Sequence, residues 1–209
     1  SILLKINQLF YKMFIIFVIG SFLGVIYEEI VGFIKYHHLT GIWFWPNRQG
    51  VIYGPFNPLY GAGIVILILL LGKKKRHPAK TFIYGGLLGG FIEYVVSYLM
   101  ELILGVASWD YTGRLLNING RTTIPYMIFW GFAVMVLVHI LYPIISKLIE
   151  KIPYKIGKPL VIFLVIFMTF DFAISMTALG RQALRHKGYE PITFVGEFCD
   201  KVYTDEYLK

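Results

Sequence analysis

Charge is scarce in this chain of 209 residues: 15% of positions are Asp, Glu, Lys or Arg, against 57% that are hydrophobic. Soluble domains carry about 25% charged residues, so an ordinary water-soluble globule is excluded and an integral membrane protein is indicated. Cysteine is nearly absent, and Cys199, standing alone, excludes an internal disulfide framework. The signatures of common hydrolytic chemistry are missing as well. The chain contains no Gly-x-x-x-x-Gly-Lys-Ser/Thr phosphate loop, no His-Glu-x-x-His and no Gly-x-Ser-x-Gly. ATP hydrolysis is therefore not expected of the chain itself. His37 and His38 are adjacent, with no cysteine or third histidine nearby. Neighbouring side chains on a helix diverge by about 100°, so they predict interfacial polar residues and no metal site; no other cofactor is expected either.

What the chain does have is a set of apolar runs near spanning length, and basic residues placed between them. The formal charge is +8, yet eleven of the twenty Lys and Arg sit in three places. These are Lys5 and Lys12, then Lys73, Lys74, Lys75, Arg76 and Lys80, then Lys147, Lys151, Lys155 and Lys158. That spacing marks alternate sides of a membrane and argues against a nucleic-acid partner. By the positive-inside rule the amino terminus and both basic loops are cytoplasmic and the carboxyl terminus is external. The first apolar segment is too long for a cleavable leader and is expected to remain as a span.

The reading is an all-α integral membrane protein with five transmembrane helices. Residues 1–179 form the bundle, with spans at about 10–34, 58–72, 81–104, 123–145 and 160–179, followed by an amphipathic tail at 180–209 that carries both charge signs. The organising stretch is Gly50 to Gly63, with four glycines and two prolines in fourteen residues. Asn57 is placed to cap a helix whose first residue is Pro58. From Pro58 to Gly72 that helix measures only about 22 Å at about 1.5 Å per residue, short of a hydrocarbon core of about 30 Å. Its entrance is then expected inside the membrane, where irregular backbone is tolerated only against protein or a wet cavity.

Two parallel two-helix repeats are expected, at about 10–72 and 81–145, with the fifth helix outside them. At an offset of 65, Gly20, Leu23, Gly24, Glu28 and Val31 match Gly85, Leu88, Gly89, Glu93 and Val96. At an offset of 70, Gly50, Pro55 and Tyr60-Gly61 match Gly120, Pro125 and Trp130-Gly131. In the third span Gly86, Gly89 or Gly90, Glu93, Ser97 and Glu101 fall on one face, which must look into protein.

A carboxylate at mid-span costs at least about 2.5 to 3.5 kcal/mol, so Glu93 and Asp171 each need a partner or a role. The polar pocket expected from these considerations comprises Glu28, Arg48, Tyr53, Asn57, Tyr60, Glu93, Asp110 and Arg121, open to the outside, with Glu28 and Glu93 both facing it.

Ser21-Phe-Leu-Gly24, Tyr27-Glu28, Tyr53-Gly-Pro-Phe-Asn-Pro-Leu-Tyr-Gly61, Glu93-Tyr94, Trp109-Asp-Tyr111, Asn119-Gly-Arg121 and Trp130-Gly131 together resemble a bacterial family, the putative ABC-transporter type IV membrane proteins. The resemblance covers about residues 10–145. It implies a permease in a bacterial cell membrane that works with a separate ATPase subunit. The residues alone leave three classes open: a transport subunit, a membrane-embedded enzyme acting on a lipid-linked substrate, and a non-catalytic membrane scaffold. In the enzyme reading Glu28, Glu93 or Asp110 would be the general base, and Arg48 or Arg121 would hold a phosphate or carboxylate. Substrate and oligomeric state are not encoded in any motif.

Overall fold

Helices dominate because long apolar runs leave the backbone no polar partner except itself. The computed structural model describes residues 2–107 and 109–209. The elements are α1 (Ile2–Thr40), α2 (Pro58–Leu71), α3 (Pro78–Leu104), β1 (Asn117–Ile118), β2 (Thr122–Thr123), α4 (Ile124–Val136), a π-helical turn (Leu137–Leu141), α5 (Tyr142–Glu150), α6 (Tyr154–His186) and α7 (Phe194–Val202). Four stretches are long and apolar enough to cross a membrane: α1, α3, the continuous run Ile124–Glu150, and α6. The apolar α2 has 14 residues. At about 1.5 Å per residue it is about 21 Å long, which matches the short second helix expected from the sequence.

Contacts divide the chain into two compact units, one of residues 1–61 and 153–209, the other of residues 62–152. The first unit contains α1, the broken stretch before α2, α6 and α7. Tyr11 of α1 packs its ring on Tyr154 at the start of α6 with centroids 5.5 Å apart. A smaller core joins Ala178 of α6 with Cys199 and Tyr203, and partly buried Ile52, Ile174 and Leu208 close over it. The helix α6 runs through Gly180 to His186, so Arg181 and Arg185 extend the spanning helix itself.

The second unit is built on α3 and α4. Leu67, Leu71, Val134 and Val138 form its apolar core, with Leu88 and Ile92 packed against them. Gly85, Gly86, Gly89, Gly90, Glu93 and Ser97 of α3 are buried, so the small-residue face does look into protein; Glu101, at its upper end, is exposed. A Cβ at Gly85 would stand 2.6 Å from Val134, which shows how closely the helices approach. Pro143 lacks the N–H that would continue regular pairing, and the preceding turn widens into the π-helix, closed by Tyr142 N–H to the carbonyl of Leu137. Within that turn His139 Nε2 lies 2.8 Å from the hydroxyl of buried Thr81.

Apolar side chains such as Leu23, Phe91, Phe132 and Phe163 stand exposed on the long helices. In water such surfaces would aggregate, and in a bilayer they are the lipid contact. The chain is a multi-pass membrane protein.

Candidate functional site

In the first unit the stretch Gly50–Asn57 is held as an irregular loop. Gly54 takes φ +85°, a conformation that strains any residue with a Cβ. Gly50 N–H donates to Phe56 O at 2.9 Å and Asn57 N–H to Ser21 O at 3.0 Å. Asn57 Oδ1 then accepts from Leu59 N–H at 3.1 Å, so the capping role expected of it holds, with Pro58 as the first helical residue.

Two turns of α6 hold the other side of the loop. Asp171 Oδ1 accepts from Tyr53 N–H at 3.0 Å, and Ser175 Oγ accepts from Ile52 N–H at 2.8 Å. Both α6 residues are fully buried. The partners that the mid-span Asp171 required are thus the Tyr53 backbone and, at 3.4 Å, the Ser175 hydroxyl. Tyr53 turns its hydroxyl to that of Tyr203, 2.6 Å away.

Glu28 of α1 accepts from the Tyr60 hydroxyl at 2.6 Å. One turn earlier, Gly24 leaves room for the Tyr60 ring, and any Cβ there would overlap it. The neighbouring Glu29 accepts from Trp45 Nε1 at 2.9 Å and Arg48 N–H at 3.3 Å. Of the expected pocket residues in this unit, Glu28 and Tyr60 are brought together, Asn57 caps α2, and Tyr53 is turned towards α6 and the tail. Arg48 lies over Gly32 of α1, meeting Glu29 through its backbone. His37 stacks flat on Trp43, with ring centroids 3.5 Å apart.

The second unit places a carboxylate in a similar clasp. Glu93 of α3 is 9% exposed, and its Oε2 accepts from Trp130 Nε1 at 2.6 Å. Gly89, one turn earlier, makes room for the Trp130 side chain, whose Cβ would stand 2.6 Å from any Cβ placed there. Glu93 Oε1 is buried too and makes no close hydrogen bond among the described residues, although the Tyr111 hydroxyl acts on the same carboxyl as a donor. The Tyr111 hydroxyl lies close by, and burial first, then the charge of Glu93, pushes its pKa up.

Above Glu93 the segment between α3 and α4 forms a polar cavity of about 520 Å³. Ser97, Glu101, Trp109, Asp110, Asn119 and Arg121 are among the residues lining it. Arg121 pairs with Glu101 at 2.8 Å, reaches Ser97 Oγ at 3.2 Å and lies over the Tyr94 and Tyr98 rings. Trp109 Nε1 donates to Arg121 O at 2.8 Å, fixing the backbone beneath that guanidinium. Asp110 accepts from both Thr112 N–H at 2.8 Å and Thr112 Oγ at 2.6 Å, bonds that hold its carboxyl below the usual range. Of the eight residues expected in one pocket, Asp110 and Arg121 line this cavity, and Glu93 sits a turn below its Ser97 wall. Glu28 and Glu93 belong to different units.

Sequence reasoning missed Trp130 as a donor, although its alignment with Tyr60 was the available signal. It missed Tyr111 as a site residue, and it placed Ser97 on the buried face of α3 without assigning it to the site. It also missed the ion pairs of the tail. Arg181 is bidentate on Asp200, at 2.8 and 3.0 Å, and Arg185 bridges Asp200 and Asp205 at 2.6 Å each.

No curated protein and no solved structure matches the chain. A family model described as putative ABC-transporter type IV matches residues 15–176, from the first spanning helix through Asp171 and Ser175 of α6. That match takes in both glutamate clasps, the broken loop with its α6 contacts and the whole polar cavity, and the chain belongs to the putative ABC-transporter type IV family.

Proposed function

We propose that this protein is the membrane-spanning subunit of a transporter, a permease that admits a small polar solute through the cavity over Glu93 and draws its energy from a separate ATPase. The observation that carries the reading is the buried carboxyl of Glu93, held by Trp130 with the Tyr111 hydroxyl beside it, beneath a cavity lined by Glu101, Asp110 and Arg121. Charges of both signs around one space suit a zwitterion, whose anionic end exchanges onto Arg121 while its cationic end meets Asp110 or Glu101. The sequence carries no phosphate loop, which supports assigning nucleotide hydrolysis to a separate ATPase chain.

The same proposal takes α1 with the start of α2, and α3 with α4, as two copies of one hairpin, and counts the short α2 as a fifth span. Supporting this, Glu28 and Tyr60 correspond to Glu93 and Trp130 at the offsets of 65 and 70 read from the sequence, and Gly24 corresponds to Gly89. Gly61 abuts the carbonyl of Phe17, and Gly131 abuts that of Phe82, again 65 residues on. Its orientation puts the amino terminus and the basic loops in the cytoplasm and the cavity outside.

The test is solute counterflow into proteoliposomes, preceded by a thermal-shift screen of amino acids and related zwitterions. One class should raise the melting temperature, and Glu93→Gln should remove both the shift and the flux. A screen without any stabilising solute, together with no flux, overturns the reading. Labelling of Lys75→Cys from outside intact cells would overturn the orientation.

A further inference from the structure

We infer that α7 is an in-plane helix, seated in the headgroup and acyl boundary of the leaflet at which α6 ends, and that its partner is the lipid surface. The inference uses only the first unit and is independent of transport. The helix has three faces. At about 100° per residue, Phe194, Val195, Phe198 and Val202 fall within an arc of about 100°, and all four are exposed. Ile192, just before the helix, is 96% exposed, and Phe194 81%. The next face carries Cys199, with Tyr203 directly after the helix, and both are packed against Ala178 of α6. The third presents Glu197 and Lys201 to solvent.

A solvated helix needs only one apolar face, and here that face is already spent on α6. The second apolar face requires another cover. Its position selects the cover: α7 is fixed beside the last turns of a spanning helix by Ala178, by Arg181 on Asp200 and by Arg185 on Asp200 and Asp205. The bilayer that surrounds α6 is therefore the apolar phase within reach, and amphipathic helices insert about 5 to 10 Å into such a boundary. Charge does not drive the contact. Residues 187–209 contain three lysines and five acids, so attraction to anionic headgroups is weak and the apolar side chains must supply the association.

The seating has a consequence inside the protein. Tyr203 follows α7 directly, its hydroxyl meets that of Tyr53, and Tyr53 N–H is held by Asp171. A change in the depth of α7 is thus delivered to the broken loop Gly50–Asn57.

The test reconstitutes the full chain in phosphatidylcholine vesicles on a Cys199→Ala background. Nitroxide labels go at Phe194→Cys, Phe198→Cys, Glu197→Cys and Lys201→Cys. Labels at 194 and 198 should collide with oxygen and be shielded from an aqueous nickel complex, while labels at 197 and 201 meet the nickel complex freely. Adding anionic lipid should leave the pattern unchanged. Nickel access at 194 and 198 overturns the inference, as does immobilisation with neither reagent admitted, which would mean that protein covers the face. Seating that appears only with anionic lipid overturns it too. Quenching of a Phe194→Trp variant by brominated phosphatidylcholine keeps Cys199 and reports the same depth if the cysteine replacement fails to fold; an unquenched added tryptophan overturns the inference.

Discussion

The two units hold a spanning-helix glutamate with the same economy and hold their irregular backbone in opposite ways. In each, a glycine one turn before the glutamate lets an aromatic ring from the following helix lie against the backbone, and the polar end of that ring reaches the carboxylate. In residues 62–152 everything above the clasp is local: Trp109, Arg121, Ser97 and Glu101 build the cavity from one hairpin and its turn. In the other unit the broken loop borrows its partners from distant chain, namely Asp171, Ser175 and Tyr203. The carboxylate clasp is thus a property of the helix pair, whereas the loop above it is free to be fastened by whatever chain is near. That separation suits a site whose floor stays constant while its mouth is specialised.

The most severe way to break the comparison is at the glycines beneath the aromatic rings. Gly61→Leu and Gly131→Leu both drive side chains into backbone carbonyls, of Phe17 and Phe82, and each should abolish folded protein in detergent. Gly24→Ala and Gly89→Ala press on the Tyr60 and Trp130 side chains instead and should cost about 1 to 3 kcal/mol by overpacking. Gly63→Ala, with open space around it, should leave the melting temperature unchanged. A loss confined to one unit would show that the two clasps are unrelated.

Removing the hydrogen-bond donors should separate the clasps by burial. Trp130→Phe strands a carboxylate that is nine-tenths buried and should cost about 1 to 3 kcal/mol. Tyr60→Phe strands the more accessible Glu28 and should cost less, closer to the average of about 0.6 kcal/mol for hydrogen bonds between membrane helices. Chemical denaturation of the two variants in one detergent ranks them.

The borrowed fastening of the first unit is tested at Asp171. Asp171→Leu leaves Tyr53 N–H without an acceptor and should destabilise by about 1 to 3 kcal/mol, while Asp171→Asn retains an oxygen and should change little. Limited proteolysis within residues 50–57 should rise in the first variant only.

The smallest effect is set by pH. Hydrogen bonds from Arg181 depress Asp200, and hydrogen bonds from Arg185 depress Asp205. Because the folded values lie below the unfolded ones, the stabilisation is complete above the unfolded carboxylate pKa of about 3.9 and is lost as pH falls through the folded values. Hydrogen exchange corrected for intrinsic rate should show α7 opening in that acid window while α3 stays protected. Persistent protection of α7 there would place its stability in the apolar contacts of Cys199 and Tyr203.

Much of this was legible because membranes make polarity conspicuous. Glu28, Glu93, the α3 glycine face, the Asn57 cap and the short α2 all follow from the cost of placing polar groups or broken backbone in hydrocarbon. The loop partner of Asp171 was illegible for a different reason: it is the amide of Tyr53, and backbone donors have no residue identity to read. The tail clamp escaped because its pairs lie 15 to 20 residues apart across a turn, outside any helical periodicity. The cavity wall was partly visible in Asp110 and Arg121, but the way Arg121 folds over Tyr94 and Tyr98 is set by the β1–β2 turn.

The distance in sequence between the broken loop and its fasteners also sets an order of events. Asp171 is synthesised 118 residues after Tyr53, which at about 5 to 20 residues per second is a delay of about 6 to 24 s. Trp130 follows Glu93 by 37 residues, a wait of about 2 to 7 s. During synthesis the contiguous unit can therefore close while Gly50–Asn57 still waits for α6. For that interval its amides depend on water, chaperones or the insertion machinery, and a chain stalled before residue 171 is left with an open loop that no later adjustment of the first 61 residues can fasten.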